Sequence, residues 1–89
     1  MYAQQCYEQA LDIHRRAGFR SGEATWAWNL GLLYERLGQP AEAAEMFAIT
    51  VDYEQSIGHP NAEEDAFRLA TVRQLAQSQA DPVTTLKAV

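Results

Sequence analysis

The stretch that decides the fold begins at residue 27 and reads Ala27-Trp28-Asn29-Leu30-Gly31-Leu32-Leu33-Tyr34. It continues with Leu37-Gly38-Gln39-Pro40 and then with Ala43 and Phe47. A glycine inside a helix costs about 1 kcal/mol relative to alanine, so Gly31 predicts a place where two helices pack closely. Gly38 suits the end of one helix and Pro40 the first turn of the next. The stretch therefore predicts a helical hairpin.

Glycines divide the rest of the chain in the same way. Gly18, Gly38 and Gly58 each lie where a helix would end in a left-handed cap. Between them, apolar residues recur three or four positions apart, and no segment alternates like a strand. Ser21 suits the cap of a second helix and Asn61 that of a fourth. The predicted helices span residues 2–17, 22–37, 40–57 and 62–79.

A repeat becomes visible when the sequence is shifted by forty residues. The shift aligns Ala3 with Ala43, Asp12 with Asp52, Gly18 with Gly58 and Glu23 with Glu63. A fixed period that spans two helices is typical of a helical solenoid, and short connections make neighbouring helices antiparallel. The predicted fold class is all-α, with antiparallel hairpins stacked in one domain over residues 1–80. Residues 81–89 are a tail or, because Asp81-Pro82 suits a helix start, the beginning of a further short helix.

The hairpin resembles the tetratricopeptide repeat (TPR), whose consensus has Leu-Gly, a tyrosine three residues on, and later alanine and phenylalanine. Its forty-residue period is similar to the extended repeats of kinesin light chains and of bacterial regulators and signalling ATPases. The resemblance implies that residues 1–17 form the second helix of one repeat, 22–57 a full repeat and 62–79 the first helix of another. Thr71 and Gln74 replace the glycine and tyrosine there, so the last repeat is degenerate, and its polar residues predict a closing helix that faces water.

The resemblance implies a protein-protein interaction scaffold whose first helices line a concave groove. In this register the groove residues would be Thr25, Trp28, Asn29, Leu32, Glu35 and Arg36. Extended repeats often use asparagine at the position of Asn29 to hold a peptide backbone, and Trp28 would offer a broad contact surface. The alternative is that Trp26 and Trp28 are packing residues and that Asn29 merely solvates the groove. Two tryptophans two positions apart cannot face one direction on a helix, so at least one belongs to the core.

The first helix has no preceding partner to cover its apolar side chains, which are Tyr2, Cys6, Ile13 and Ala17. Either a preceding repeat is missing, or two chains meet there as a homo-oligomer. A further alternative is that the chain belongs to a larger bacterial regulator or signalling ATPase, in which the repeats only sense or transmit.

Composition excludes several other classes. The formal charge of −5 argues against a nucleic-acid partner, since such binding requires a basic patch. No run of about 18 apolar residues could span a membrane, and no secretory signal opens the chain. The single cysteine, Cys6, permits no internal disulfide and fits a cytoplasmic location.

Motifs for chemistry are also absent from the sequence. His14 and His59 lie far apart without other ligand types at metal-site spacing. Cys6 and His14 would lie about 12 Å apart along a helix, too far for a nucleophile and its base. The basic clamp with which some TPR arrays hold acidic chaperone tails would fall at Asp65 and Leu69, so it is missing. We therefore predict no enzyme activity and no cofactor.

Overall fold

The computed structural model describes residues 2–80, with side chains described from residue 3 to residue 79. This part of the chain is helical and contains no strand. The four helices are α1 (Tyr2–Ala17), α2 (Arg20–Arg36), α3 (Pro40–Ile57) and α4 (Ala62–Ala80). Each helix packs on the next along the chain, and the short connections make them antiparallel. The predicted all-α hairpin stack is confirmed, while the predicted start of a further helix at residues 81–89 lies outside the described residues.

The three glycine turns share one geometry. Gly18, Gly38 and Gly58 have φ values of 78°, 72° and 65°, the left-handed conformation that the sequence predicted. In each turn the residue after the glycine donates its backbone N–H to the carbonyl five residues back, as His59 does to Glu54 at 2.8 Å. This is the bonding of a Schellman cap. The same stop signal therefore ends three helices at twenty-residue intervals.

The predicted start of α2 was two residues late. The helix begins at Arg20, and Phe19 precedes it without making a side-chain cap bond. The Glu23 N–H already bonds to the Phe19 carbonyl at 2.9 Å, which places Ser21 within the first turn rather than at the cap. The helix also ends at Arg36 instead of residue 37. The helix starts early because the turn at Gly18 already reverses the chain direction, so that helical bonding begins at Phe19.

Buried side chains form two clusters, and α2 contacts both of them. The α1–α2 cluster contains Leu11, Ala27 and Leu30. The α3–α4 cluster contains Ala43, Ala44, Phe47, Val51, Leu69 and Val72.

Gly31 lies where α2 and α3 meet. A Cβ atom on Gly31 would lie 2.6 Å from the ring of Phe47, and Phe47 itself is completely buried. The close packing predicted at Gly31 is therefore present, with the ring of Phe47 occupying the space that a side chain would need.

The exposed surface of α4 is only partly the polar surface that the sequence predicted. Its polar residues Arg73, Gln74, Gln77 and Gln79 are exposed. Phe67 and Leu75 are exposed as well, Phe67 by 76%. No later helix within the described residues covers these two apolar side chains.

Candidate functional site

A concave surface lies between α2 and α4. In the described part of the chain the Cα atoms of the two helices stay more than 8 Å apart, and two cavities of about 480 and 490 Å³ open beside them. Both cavities are lined by Trp28 and Asp65, so they adjoin. We call this surface the α2–α4 groove. Its cavities fall within the size range of ligand pockets, about 300–1,000 Å³.

The predicted groove residues divide into three sets. Thr25, Trp28 and Asn29 line the first cavity, and Trp28 together with Glu35 lines the second. Leu32 instead packs against the α3–α4 cluster. Arg36 is exposed and lines neither cavity.

The two tryptophans of α2 serve different interfaces. The Trp26 ring lies 5.6 Å from that of Tyr7 and 6.5 Å from that of His14, both on α1. The Trp28 ring lies 4.5 Å from that of Phe47 on α3. Trp28 is half-buried, so it packs on the core with one part and lines the groove with another. Packing and lining are combined in one residue, whereas the sequence presented them as alternatives.

One ion pair crosses the groove. Arg68 of α4 donates to Glu35 of α2 at 2.6 Å, and its guanidinium carbon lies 6.0 Å from the centre of the Trp28 ring. Sequence reasoning did not single out Arg68. Its role depends on the spatial approach of two helices that are not consecutive in the chain.

The floor of the first cavity contains a buried acid, Glu54 of α3. It is 8% exposed, and its Oε1 atom is buried without a hydrogen-bond partner among residues 2–80. The neighbouring hydroxyl of Thr50 donates elsewhere, to the Ala24 carbonyl at 2.7 Å. The Nδ1 atom of His59 lies 3.8 Å from Glu54 Oε2, but it accepts the Asn61 N–H at 3.0 Å. An Nδ1 atom that accepts this bond carries no proton for Glu54.

The surroundings of Glu54 favour its protonated form. Burial, foremost, raises the pKa of Glu54, and the adjacent carboxyl of Asp65 adds to the rise by hydrogen bonding to the protonated acid and by its negative charge, so that together they bring it to about 7. The other titratable groups that line this cavity are His59 and Tyr53, while α2 contributes only uncharged side chains. Sequence reasoning missed Glu54 as a site residue. Its spacing of seven from the core residue Phe47 was the signal that places it on the buried face of α3.

The residues predicted for self-association lie on α1. Ile13 is 64% exposed, Ala17 is exposed and Cys6 is half-buried. The side chain of Tyr2 lies outside the described residues. The structure leaves the Ile13 surface of α1 open.

Neither metal-site geometry nor a membrane span is found in the described residues. No three or more His, Cys, Asp or Glu side chains converge there in a way that could hold a metal ion. His14 instead packs between α1 and α2, with its Nδ1 atom 2.7 Å from the Ala10 carbonyl. None of the described helices is long and apolar enough to cross a membrane.

A stack of antiparallel hairpins with a side-chain-lined groove defines a helical-repeat interaction module. A family model described as "Tetratricopeptide repeat" matches residues 3–48, just over half of the chain. The chain belongs to the TPR family, and it is a protein-protein interaction repeat module. Neither the curated proteins nor the solved structures contain a significant match to it.

Proposed function

We propose that this chain binds a peptide segment of a partner protein in the α2–α4 groove. The observation that carries the proposal is the position of Trp28, whose ring is fixed on Phe47 while its remaining surface lines both cavities. A rigid, half-exposed aromatic side chain is typical of binding hot spots. The half-buried amide of Asn29 lines the first cavity beside it, where it can both donate to and accept from a peptide backbone.

The test uses an immobilised library of extended peptides in which each position is varied in turn. The two tryptophans provide a matched pair of variants, because Trp26 packs towards α1 and does not line the groove. We expect Trp28→Phe and Asn29→Ala to weaken peptide binding by about ten-fold or more, with helicity retained. Trp26→Phe should bind as the unaltered chain does.

Two results would count against the groove. The first is a library without any bound peptide, and the second is equal weakening by Trp26→Phe and Trp28→Phe. Far-ultraviolet circular dichroism of each variant separates loss of binding from loss of fold. The Asn29→Ala variant carries the test if Trp28→Phe lowers helicity, since Asn29 belongs to neither core cluster.

Self-association through α1 is a second candidate, favoured by the open side chain of Ile13, which is 64% exposed. Sedimentation should then show a dimer that Ile13→Glu converts to a monomer. If the unaltered chain is monomeric at high concentration, self-association through α1 is contradicted. Membership of the extended-repeat subclass, a role within a larger regulator or signalling ATPase, and a cytoplasmic location stay predictions.

A further inference from the structure

One oxygen of the buried acid on the groove floor, Glu54 Oε1, lacks a hydrogen-bond partner among the described residues. The atom has no partner although the side chain is almost fully buried, with only 8% of the residue exposed. A buried carboxyl without hydrogen bonds is unfavourable compared with one that is satisfied. Thr50 and the Nδ1 atom of His59 are engaged with other atoms. The remaining neighbour, Asp65, is a second carboxyl that can share a proton with Glu54 but brings no donor of its own when ionised. The arrangement therefore has room for a donor that comes from outside the chain.

The carboxyl groups that line this cavity, those of Glu54 and Asp65, have no lysine or arginine beside them in the lining. Arg68 lines the adjoining cavity next to Asp65, but it is paired with Glu35 at 2.6 Å. The chain as a whole carries a formal charge of −5. The electrostatic complement of this cavity is a single cation.

We propose that the paired carboxyls of Glu54 and Asp65 bind one basic side chain, an arginine above all, of the peptide that occupies the α2–α4 groove. The inference rests on the proposed function, because the groove must first hold a peptide. Arginine is favoured since its planar guanidinium presents several donors at fixed angles and can bridge two carboxylates. The rings of Trp28 and Tyr53 also line the cavity and suit the aliphatic stem of that side chain. The chain's own Arg68 and Arg20 already lie 6.0 and 5.4 Å from the centres of these rings, so the two carboxyls supply the charge recognition.

Binding of the cation should release a proton from Glu54. Burial and the neighbouring Asp65 hold the pKa of Glu54 at about 7, so at neutral pH part of the population carries a proton there. A guanidinium favours the ionised carboxyl and displaces that proton. Affinity for the basic peptide should therefore rise between pH 6 and pH 8. His59 also lines the cavity, and His59→Gln should keep the rise if Glu54 is its source.

The probes are a library-selected peptide carrying arginine at the varied position and the same peptide with citrulline, which keeps the shape but lacks the charge. Trp26→Phe leaves Trp28 as the single tryptophan, so its fluorescence reports binding in the groove. We expect the arginine peptide to bind at least about ten-fold more tightly than the citrulline peptide, as charged hydrogen bonds require. Lysine should fall between the two.

Glu54→Gln and Asp65→Asn should each abolish most of this preference. Glu45→Gln is the matched control, because Glu45 is an exposed acid of the same helix and lines neither cavity. Should Glu54→Gln lose helicity, Asp65→Asn still tests the pair, since Asp65 is half-buried on α4 and belongs to neither core cluster.

Equal binding of the arginine and citrulline peptides would overturn this inference and leave the groove as a peptide site. A preference that survives both Glu54→Gln and Asp65→Asn would overturn the assignment to these carboxyls. Binding of N-acetylarginine amide as tight as that of the peptide would overturn the peptide as the source of the cation. Absence of any peptide binding would overturn the proposed function together with this inference.

Discussion

The two sides of α2 differ in the size of the buried cluster that each one contacts. Towards α1, the helix packs through Trp26, Ala27 and Leu30, and α1 contributes one buried apolar residue, Leu11. The other side adjoins the larger α3–α4 cluster, with Gly31 against the fully buried ring of Phe47. From this difference we expect α2, α3 and α4 to form the stable unit and α1 to be the more weakly held edge. The α2–α4 groove is built entirely on the stable unit.

Truncating the main buried side chain on each side, Phe47 or Leu11, should show the difference in stability most clearly. Phe47→Ala should cost about 3–5 kcal/mol and Leu11→Ala about 2–3 kcal/mol, because the cavity left at the edge can collapse or fill with water. Urea unfolding followed by circular dichroism measures both costs. Phe47→Ala should lower the stability of all four helices together.

The Leu11→Ala variant should release α1 while the other helices stay folded, since local opening involves the regions with the fewest buried contacts. Amide hydrogen exchange resolves the two cases. If α1 and α3 lose protection equally in Leu11→Ala, the chain is one cooperative unit and the comparison is wrong.

Much of this arrangement could be predicted from residues 27–47. The Leu-Gly and alanine-phenylalanine spacing predicted the α2–α3 hairpin, and the glycine period predicted the ends of α1 and α3. The start of α2 was misplaced because Ser21 was read as a cap, although the turn at Gly18 returns the chain two residues earlier. Local signals were sufficient wherever one helix or one turn decides the structure.

The groove was predicted from one wall only. Thr25, Trp28 and Asn29 follow from the position of α2 in a repeat. The opposite wall and the floor consist of residues such as Asp65 and Glu54, which meet α2 only after three helices have packed. A single sequence carries no direct signal for that approach. The one available signal was Glu54, an acid seven residues after the core residue Phe47 on α3.

The glycines on the two sides of α2 allow a finer comparison. A Cβ atom at Gly31 would lie 2.6 Å from the immobile ring of Phe47, and one at Gly22 would lie 2.1 Å from the ring of His14 on α1. Both alanines gain about 1 kcal/mol of helix propensity. Overpacking costs about 1–3 kcal/mol. The half-buried His14 can rotate towards solvent at the loss of its contact with the Ala10 carbonyl, whereas Phe47 is fully buried.

We therefore expect Gly31→Ala to destabilise the fold by about 1–2 kcal/mol net and Gly22→Ala to change stability by less than about 1 kcal/mol. Thermal and urea unfolding of the two variants measure the difference. Equal losses would mean that the α1 side is packed as rigidly as the α3 side.

The smallest effect concerns the acid beneath the groove and depends on pH. Because the folded pKa of Glu54 is raised to about 7 from an ordinary value of 4.5, the protonated carboxyl is favoured by folding. Its contribution is fully present below about pH 4.5 and is lost as the pH rises through 7, and the part lost between pH 6 and pH 8 is on the order of 1 kcal/mol. Glu54→Gln should flatten this part of the stability profile and stabilise the chain at pH 8, whereas Glu45→Gln should leave it unchanged. If the stability of Glu54→Gln depends on pH in the same way as that of the unaltered chain, then the floor of the groove tolerates the buried charge as readily as an exposed surface does.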